Sequence, residues 1–216
     1  MHLIMTDIDT GLRIKEKAHD LFMQYGLRSV SMDDIAGNMG ISKKTIYQYY
    51  VDKDELVAAV IDEELHRNQT ICVRDQQASD NAVHEIFLAM EMVIELLSSM
   101  NPSLVYDMQK YHPAAFQKFK RHKNDFLYNV IRDNLERGIR EGYYREDINL
   151  EIISRYRVES IMLPFNPDFQ SGLKYSLVQI QEAFLIHFLF GVASPKGYKL
   201  ITKYQQERKK NNDENK

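Results

Sequence analysis

Between Ser31 and Lys53 the chain reads SMDDIAGNMGISKKTIYQYYVDK, and no other stretch restricts its folding so tightly. Ser31 is a helix N-cap followed by Asp33 and Asp34 in the first turn, where the helix dipole favours negative charge. Ile35, Ala36 and Met39 then recur on one helical face. Gly40 has no Cβ and so takes the left-handed conformation of a sharp turn. Ser42 caps the next helix, on which Ile46 and Tyr50 stand four apart along the inner side. Ala36 is small where two crossing helices approach, and Ile46 fills the space between them. Two short helices joined by a tight turn follow.

The outer face of the second predicted helix carries Lys43, Lys44, Thr45, Tyr47, Gln48 and Tyr49, with no carboxylate among them. In a helix-turn-helix the second helix enters the major groove and its N-terminal residues meet base edges. Lys and Gln read guanine and adenine edges there, while Lys, Thr and Tyr hold phosphates. The expected assignment is Lys44, Thr45 and Gln48 at base edges and Lys43, Tyr47, Tyr49 and Lys53 on phosphates, with Ser31 and Ser42 as caps of the same site. Lys53 follows Asp52, a cap for a further helix, and a helix N-terminus with an adjacent Lys suits a phosphate. The competing reading of the pattern is a solvated helix pair in an ordinary all-α protein.

The flanking residues decide between the two. From about residue 12 to 61 the sequence resembles the DNA-binding region of the tetracycline-repressor (TetR) family of bacterial regulators. The resemblance lies in Ala18, Leu21-Phe22, Tyr25-Gly26, Ser31, Ile35-Ala36, Gly40, Ser42-Lys43, Thr45, Tyr47, Tyr50, Lys53 and Leu56. Met39 stands where that family usually has Ala, and Lys44 where it often has Gly. The second departure places a side chain where the family's backbone approaches the bases.

Charge alone gives no support to DNA binding. Residues 1–55 hold Arg13, Lys15, Lys17, Arg28, Lys43, Lys44 and Lys53 against Asp7, Asp9, Glu16, Asp20, Asp33, Asp34, Asp52, Asp54 and Glu55, and the whole chain is −3. The expectation rests on local distribution, with cations gathered on the reading helix and at Lys53. A single cysteine, Cys72, excludes an internal disulfide and fits a reducing cytoplasm. Nothing nearby activates it for redox chemistry. The longest apolar run, Ala183 to Ala193, is too short to span a bilayer, and no signal peptide is visible.

The periodicity predicts an all-α chain: a three-helix helix-turn-helix domain (1–55), a larger helical bundle (56–202) and a charged, disordered tail (203–216). Met1 to Thr10 reads as a frayed polar arm. Ile14, Ala18, Leu21, Phe22 and Tyr25 form the core stripe of a first helix ended by Gly26. Further helices are expected at 54–79, 83–97, 103–111, 114–141, 150–162 and 172–193. The last is apolar around most of its circumference and must be covered on both sides. In the resembled family two late helices of each subunit form the dimer interface, which implies Ile153, Ile161, Leu177, Phe184 and Phe188 for that role here. The family's ligand cavity implies Met90, Tyr106, Met108, Tyr111, Phe126 and Met162 as lining of a pocket for a small, largely apolar ligand. The helix at 54–79 would carry the ligand signal to the DNA-binding head.

Catalysis is not expected. The seven His are scattered, and HExxH, CxxC, a nucleophile elbow and glycine-rich phosphate loops are all missing. His112 and His122 read as surface or capping groups, and no cofactor or metal is implied. The resulting expectation is a cytoplasmic, homodimeric, ligand-responsive repressor that binds a palindromic DNA operator. Its rival is an α-helical protein-interaction module whose helix-turn-helix is not used on DNA.

Overall fold

The computed structural model describes residues 2–214, with side chains described for 9–210. Its α-helices are α1 (His2–Tyr25), α2 (Met32–Met39), α3 (Lys43–Ile46), α4 (Lys53–Ala78), α5 (Ala82–Ser99), α6 (Leu104–Tyr111), α7 (Pro113–Arg121), α8 (Tyr128–Arg140), α9 (Leu150–Ser160), α10 (Pro167–Gln170), α11 (Leu177–Val192) and α12 (Pro195–Glu214). A π-helical segment, His122–Leu127, joins α7 to α8 where one unbroken helix is expected from sequence. The all-α expectation holds, with one isolated antiparallel bridge between Tyr144 and Ala193. The frayed arm does not: α1 begins at His2, while Met1 and the side chain of Asp7 lie outside the described residues.

Two units divide the chain, each made of two stretches. The first comprises the chain as far as Asn68 together with Ser99–His122, and the second Gln69–Ser98 with everything from Lys123 on. In the first unit Ile14, Ala18, Leu21 and Phe22 of α1 are buried against Ile35, Ala36, Ile46, Leu56 and Val60. Tyr25, placed in that core from its spacing, is 51 % exposed, because it is the last helical residue before the turn at Gly26 (φ 83°). That turn receives α6. Buried Asp107 accepts hydrogen bonds from the Arg28 amide (3.1 Å) and the Ser103 hydroxyl (3.1 Å), and the Asn101 amide donates to the Met23 carbonyl (2.6 Å). A Cβ on Gly26 would stand 2.7 Å from Ser103 Oγ.

His112 and His122 stand at helix-cap positions, one of the two roles expected of them, but both are buried rather than at the surface. The His112 Nδ1 lies 2.6 Å from Asp54 Oδ1, and the His122 Nε2 lies 3.1 Å from Asn68 Oδ1. Burial pushes His122 down to about 4, so it is neutral at physiological pH.

The second unit is built on Phe87, Leu135, Tyr144, Phe188, Leu189 and Ile201. Asn149 caps α9 by accepting from the Ile152 amide (3.0 Å), and Ser176 caps α11 with a reciprocal Gln179 bond. The expected disordered tail is helical instead. Ser194 Oγ accepts from the Gly197 amide (3.1 Å) and Pro195 occupies the first position of α12. Ile201 of α12 is fully buried, Tyr204 stacks on His84 at 5.4 Å, and Arg208 pairs with Glu182 at 2.6 Å. Cys72 is partly covered here, and burial pushes its thiol up to about 11, which leaves little reactive thiolate near neutral pH.

Candidate nucleic-acid interface

The helix pair forms by local rules. Ser31 and Asp34 make a capping box: the Asp34 amide donates to Ser31 Oγ (3.2 Å) and the Ser31 amide to Asp34 Oδ2 (2.8 Å). The hydroxyl of Ser31, on Asp34 besides, holds that carboxyl below the usual carboxylate range. Gly40 ends α2 at φ 65°, with its amide on Gly37 O and the Ile41 amide on Ala36 O. Ser42 then caps α3, accepting from the Thr45 amide at 3.1 Å, with the two hydroxyl oxygens 2.9 Å apart.

Regular α-helix in α3 lasts a single turn. Beyond Ile46 the amides of Gln48 and Tyr49 reach back only three residues, to Thr45 and Ile46. This tighter winding rotates Tyr49 and Tyr50 toward α1. The Tyr50 hydroxyl donates to the Gly11 carbonyl (3.0 Å), and the Tyr49 ring is so close that a Cβ on Gly11 would meet its Cδ1 at 3.1 Å. Tyr49 therefore belongs to the packed side rather than to the outer face assigned to it from helical spacing. Gly11, which makes room for it, carried no signal in the sequence.

What remains outward is Ser42, Lys44, Tyr47 and Gln48, all exposed, with Thr45 half-buried among them. Lys43 forms an ion pair with Asp33 of α2 (2.8 Å) and lies 5.9 Å from the Tyr47 ring, so it braces the helix pair as well as edging the surface. Lys53 opens α4, half-buried, with its ammonium donating to the Leu27 carbonyl and 5.9 Å from the Phe22 ring. Burial pushes its pKa down. Asp52 caps α4 through the Glu55 amide (2.8 Å).

The residues expected to line a pocket fall in both units. Tyr106, Met108 and Tyr111 belong to the first unit, and Met90, Phe126 and Met162 to the second. Tyr106 and Tyr111 are exposed and flank Lys110, whose Nζ is 5.4 and 5.3 Å from their rings. Met90 and Met108 are core. An open groove does occur elsewhere, lined by Tyr143, Pro195, Lys196, Lys199, Leu200 and Lys203.

Of the expected interface residues, Leu177 and Phe188 are buried within the chain, and Ile153, Ile161 and Phe184 are half-buried. The exposed side of α11 is Ala183, His187 and Gly191, and that of α9 includes Ile152 and Tyr156 at 63 and 55 %. Hydrophobicity alone does not separate Leu177 and Phe188, which the chain itself covers, from residues that are partly open. Among the described residues no three His, Cys, Asp or Glu side chains come together as metal ligands, and no helix is long and apolar enough to cross a membrane.

Residues 14–60 match the family model described as "Bacterial regulatory proteins, tetR family". An HTH-type transcriptional regulator of Staphylococcus aureus (strain bovine RF122 / ET3-1) is 35% identical over 137 residues, 59% of this chain and 70% of that protein. The uncharacterized HTH-type transcriptional regulator YvaF of Bacillus subtilis (strain 168) is 30% identical over 114 residues, 48% of this chain, and the match spans only 55% of YvaF. In fold, the chain is similar to the transcriptional regulator FadR of Bacillus subtilis, solved in complex with stearoyl-CoA. The TM-score is 0.61 at 16% identity, covering 84% of this chain and 98% of that one.

Proposed function

The chain belongs to the TetR family of bacterial regulatory proteins, and on that premise we propose that it is a DNA-binding transcriptional repressor of the cytoplasm that releases its operator when a small ligand binds. The observation that carries the reading is the outward face of α3. Lys44 projects from α3, and Tyr47 and Gln48 from the tighter turn that follows it, on a segment fixed by the Gly40 turn and the Ser42 cap, with no carboxylate among them. Exposed Lys44 and Gln48 reach base edges, while Ser42, Thr45 and Tyr47 suit phosphates. Lys43 keeps its tie to Asp33, and Lys53 spends one of three donors on Leu27 and offers the others to the backbone.

A two-fold site needs two such heads about 34 Å apart, which makes a homodimer the working form. Exposed Ile152 and Tyr156 of α9 and the exposed side of α11 at Ala183, His187 and Gly191 supply its contact surface. The ligand belongs to the second unit, and its coupling to DNA is a two-state linkage, reciprocal by necessity. The stearoyl-CoA held by FadR, alike in fold, is consistent with an effector that has a long apolar body.

Titration of selected duplexes tests the roles. Gln48→Ala and Lys44→Ala each cost about 1–3 kcal/mol on the preferred sequence and relax the preference at one position of each half-site. Lys53→Ala weakens every sequence alike and lowers the salt slope. Uniform weakening by all three variants would show that α3 reads no bases.

A further inference from the structure

We propose that the inner side of α9 holds the oxyanion head of a small organic effector, a carboxylate or a phosphate on an apolar body, with Arg157 as its anchor and Ser154 as a second donor. This rests on the ligand-responsive reading above and names the chemistry of the ligand.

The argument starts from a cation with nothing to balance it. Arg157 is 7 % exposed, and its guanidinium carries five N–H donors. Among the described residues these make one hydrogen bond, Nη1 to Ser160 Oγ at 2.8 Å, and no carboxylate stands within ion-pair distance. The group faces the ring of Phe188, with Cζ 5.7 Å from the centroid. Burial pushes Arg157 down to about 10, the direction taken by a cation without a countercharge.

The rest of the unit treats its covered cations differently. Arg137 is held by Glu85 (3.0 Å) and Glu141 (2.7 Å), and buried Lys123 by Glu159 (2.7 Å). Glu182, on the α11 helix that supplies Phe188, is already taken by Arg208. Three residues before Arg157 on the same side of α9, Ser154 Oγ is completely buried and has no hydrogen-bond partner. A buried cation without a countercharge and a buried hydroxyl without a partner are costly, and the two, three residues apart on α9, mark a place where the partner comes from outside the chain.

The chemistry of that partner follows from the donors. A guanidinium fork matches two oxygens of a carboxylate or phosphate, and a serine hydroxyl adds a third donor. The surroundings favour an organic molecule over a bare inorganic ion: the Phe188 ring faces the guanidinium and Val158, next to Arg157 in the chain, is buried, so apolar surface adjoins the head.

Melting of the full-length protein with matched probes below their micelle concentrations tests this: dodecanoate, dodecyl phosphate and dodecanamide. One of the two oxyanions raises the melting temperature of the native chain, and the stronger of them identifies the head. Arg157→Met folds, melts at or above the native temperature without additions, and binds that oxyanion about 10–100-fold more weakly. Arg157→Lys retains part of the response, and dodecanamide acts on all three proteins alike. The assignment is overturned if Arg157→Met melts several degrees lower or fails to fold, since the arginine is then structural. It is also overturned if neither oxyanion stabilises the native chain, or if either stabilises native and Met variants equally. Selection of bound duplex DNA, run in parallel without ligand, separates this from the parent reading. DNA binding with no oxyanion response removes only the Arg157 site, and an oxyanion response without DNA binding removes the regulator and leaves the site.

Discussion

Replacing Arg137 by Met destabilises the second unit by about 3 kcal/mol at neutral pH, the scale for orphaning a buried charge. Arg137 of α8 donates to Glu85 Oε2 (3.0 Å), Glu141 Oε1 (2.7 Å), Ser79 Oγ (2.7 Å) and the Ser79 carbonyl (3.0 Å). It thereby closes the turn between α4 and α5 onto α8. Glu85 is buried, and desolvation already raises its pKa despite the hydrogen bonds of Asn134 and Arg137. A carboxyl raised in the folded state favours folding below its unfolded pKa, and that contribution is lost as pH rises through the folded value. Without the guanidinium the folded pKa rises further. The deficit of Arg137→Met is therefore largest at pH 7 and shrinks at mildly acidic pH, as Glu85 takes a proton. Denaturant melts of both proteins at pH 7 and at mildly acidic pH check this, and a pH-independent deficit would assign the loss to packing.

Gly138→Ala costs about 3 kcal/mol or more, at the upper end for overpacking. A Cβ on Gly138 would lie 1.9 Å from Tyr144 Cδ2 and 2.2 Å from its Cε2. The ring cannot step aside. Tyr144 is 1 % exposed, and its hydroxyl, 3.2 Å from both the Ala82 carbonyl and Asn134 Oδ1, is fixed at its far end. Removing the side chain beyond Cβ in the double variant Gly138→Ala/Tyr144→Ala removes the clash, so the two changes together cost less than their sum. Simple additivity in urea titrations would place the strain elsewhere.

Both sites belong to contacts that no local pattern announces, and this separates what was legible from what was not. Ser31, Gly40, Ser42 and Asn149 act on neighbours within a few residues, so their roles could be read directly and the structure places them as caps and turn. Tyr49 was misplaced because a regular 100° step was assumed where the chain winds more tightly after Ile46. The grouping of α6 with the first unit depends on Asp107 meeting the Arg28 amide, 79 residues away. For α12 a signal was present in Ser194-Pro195 and in the spacing of Ile201, Tyr204 and Arg208, but the charged composition concealed it. Leu177 and Phe188, expected at an interface, lie in the chain's own core, because burial within a subunit and between subunits leaves the same mark in composition. Arg157 is illegible for the opposite reason: an arginine on a helix reads as solvated, and only the structure shows its burial.

The most direct measurement is selection of bound sequences from random duplex DNA by the purified protein. The account predicts an enriched palindrome whose half-sites lie about one helical turn or more apart, with the preference weakened by Gln48→Ala at matching positions of both halves. Folded protein that enriches no sequence even at low salt would contradict it, leaving α3 as scaffold in a protein-interaction module.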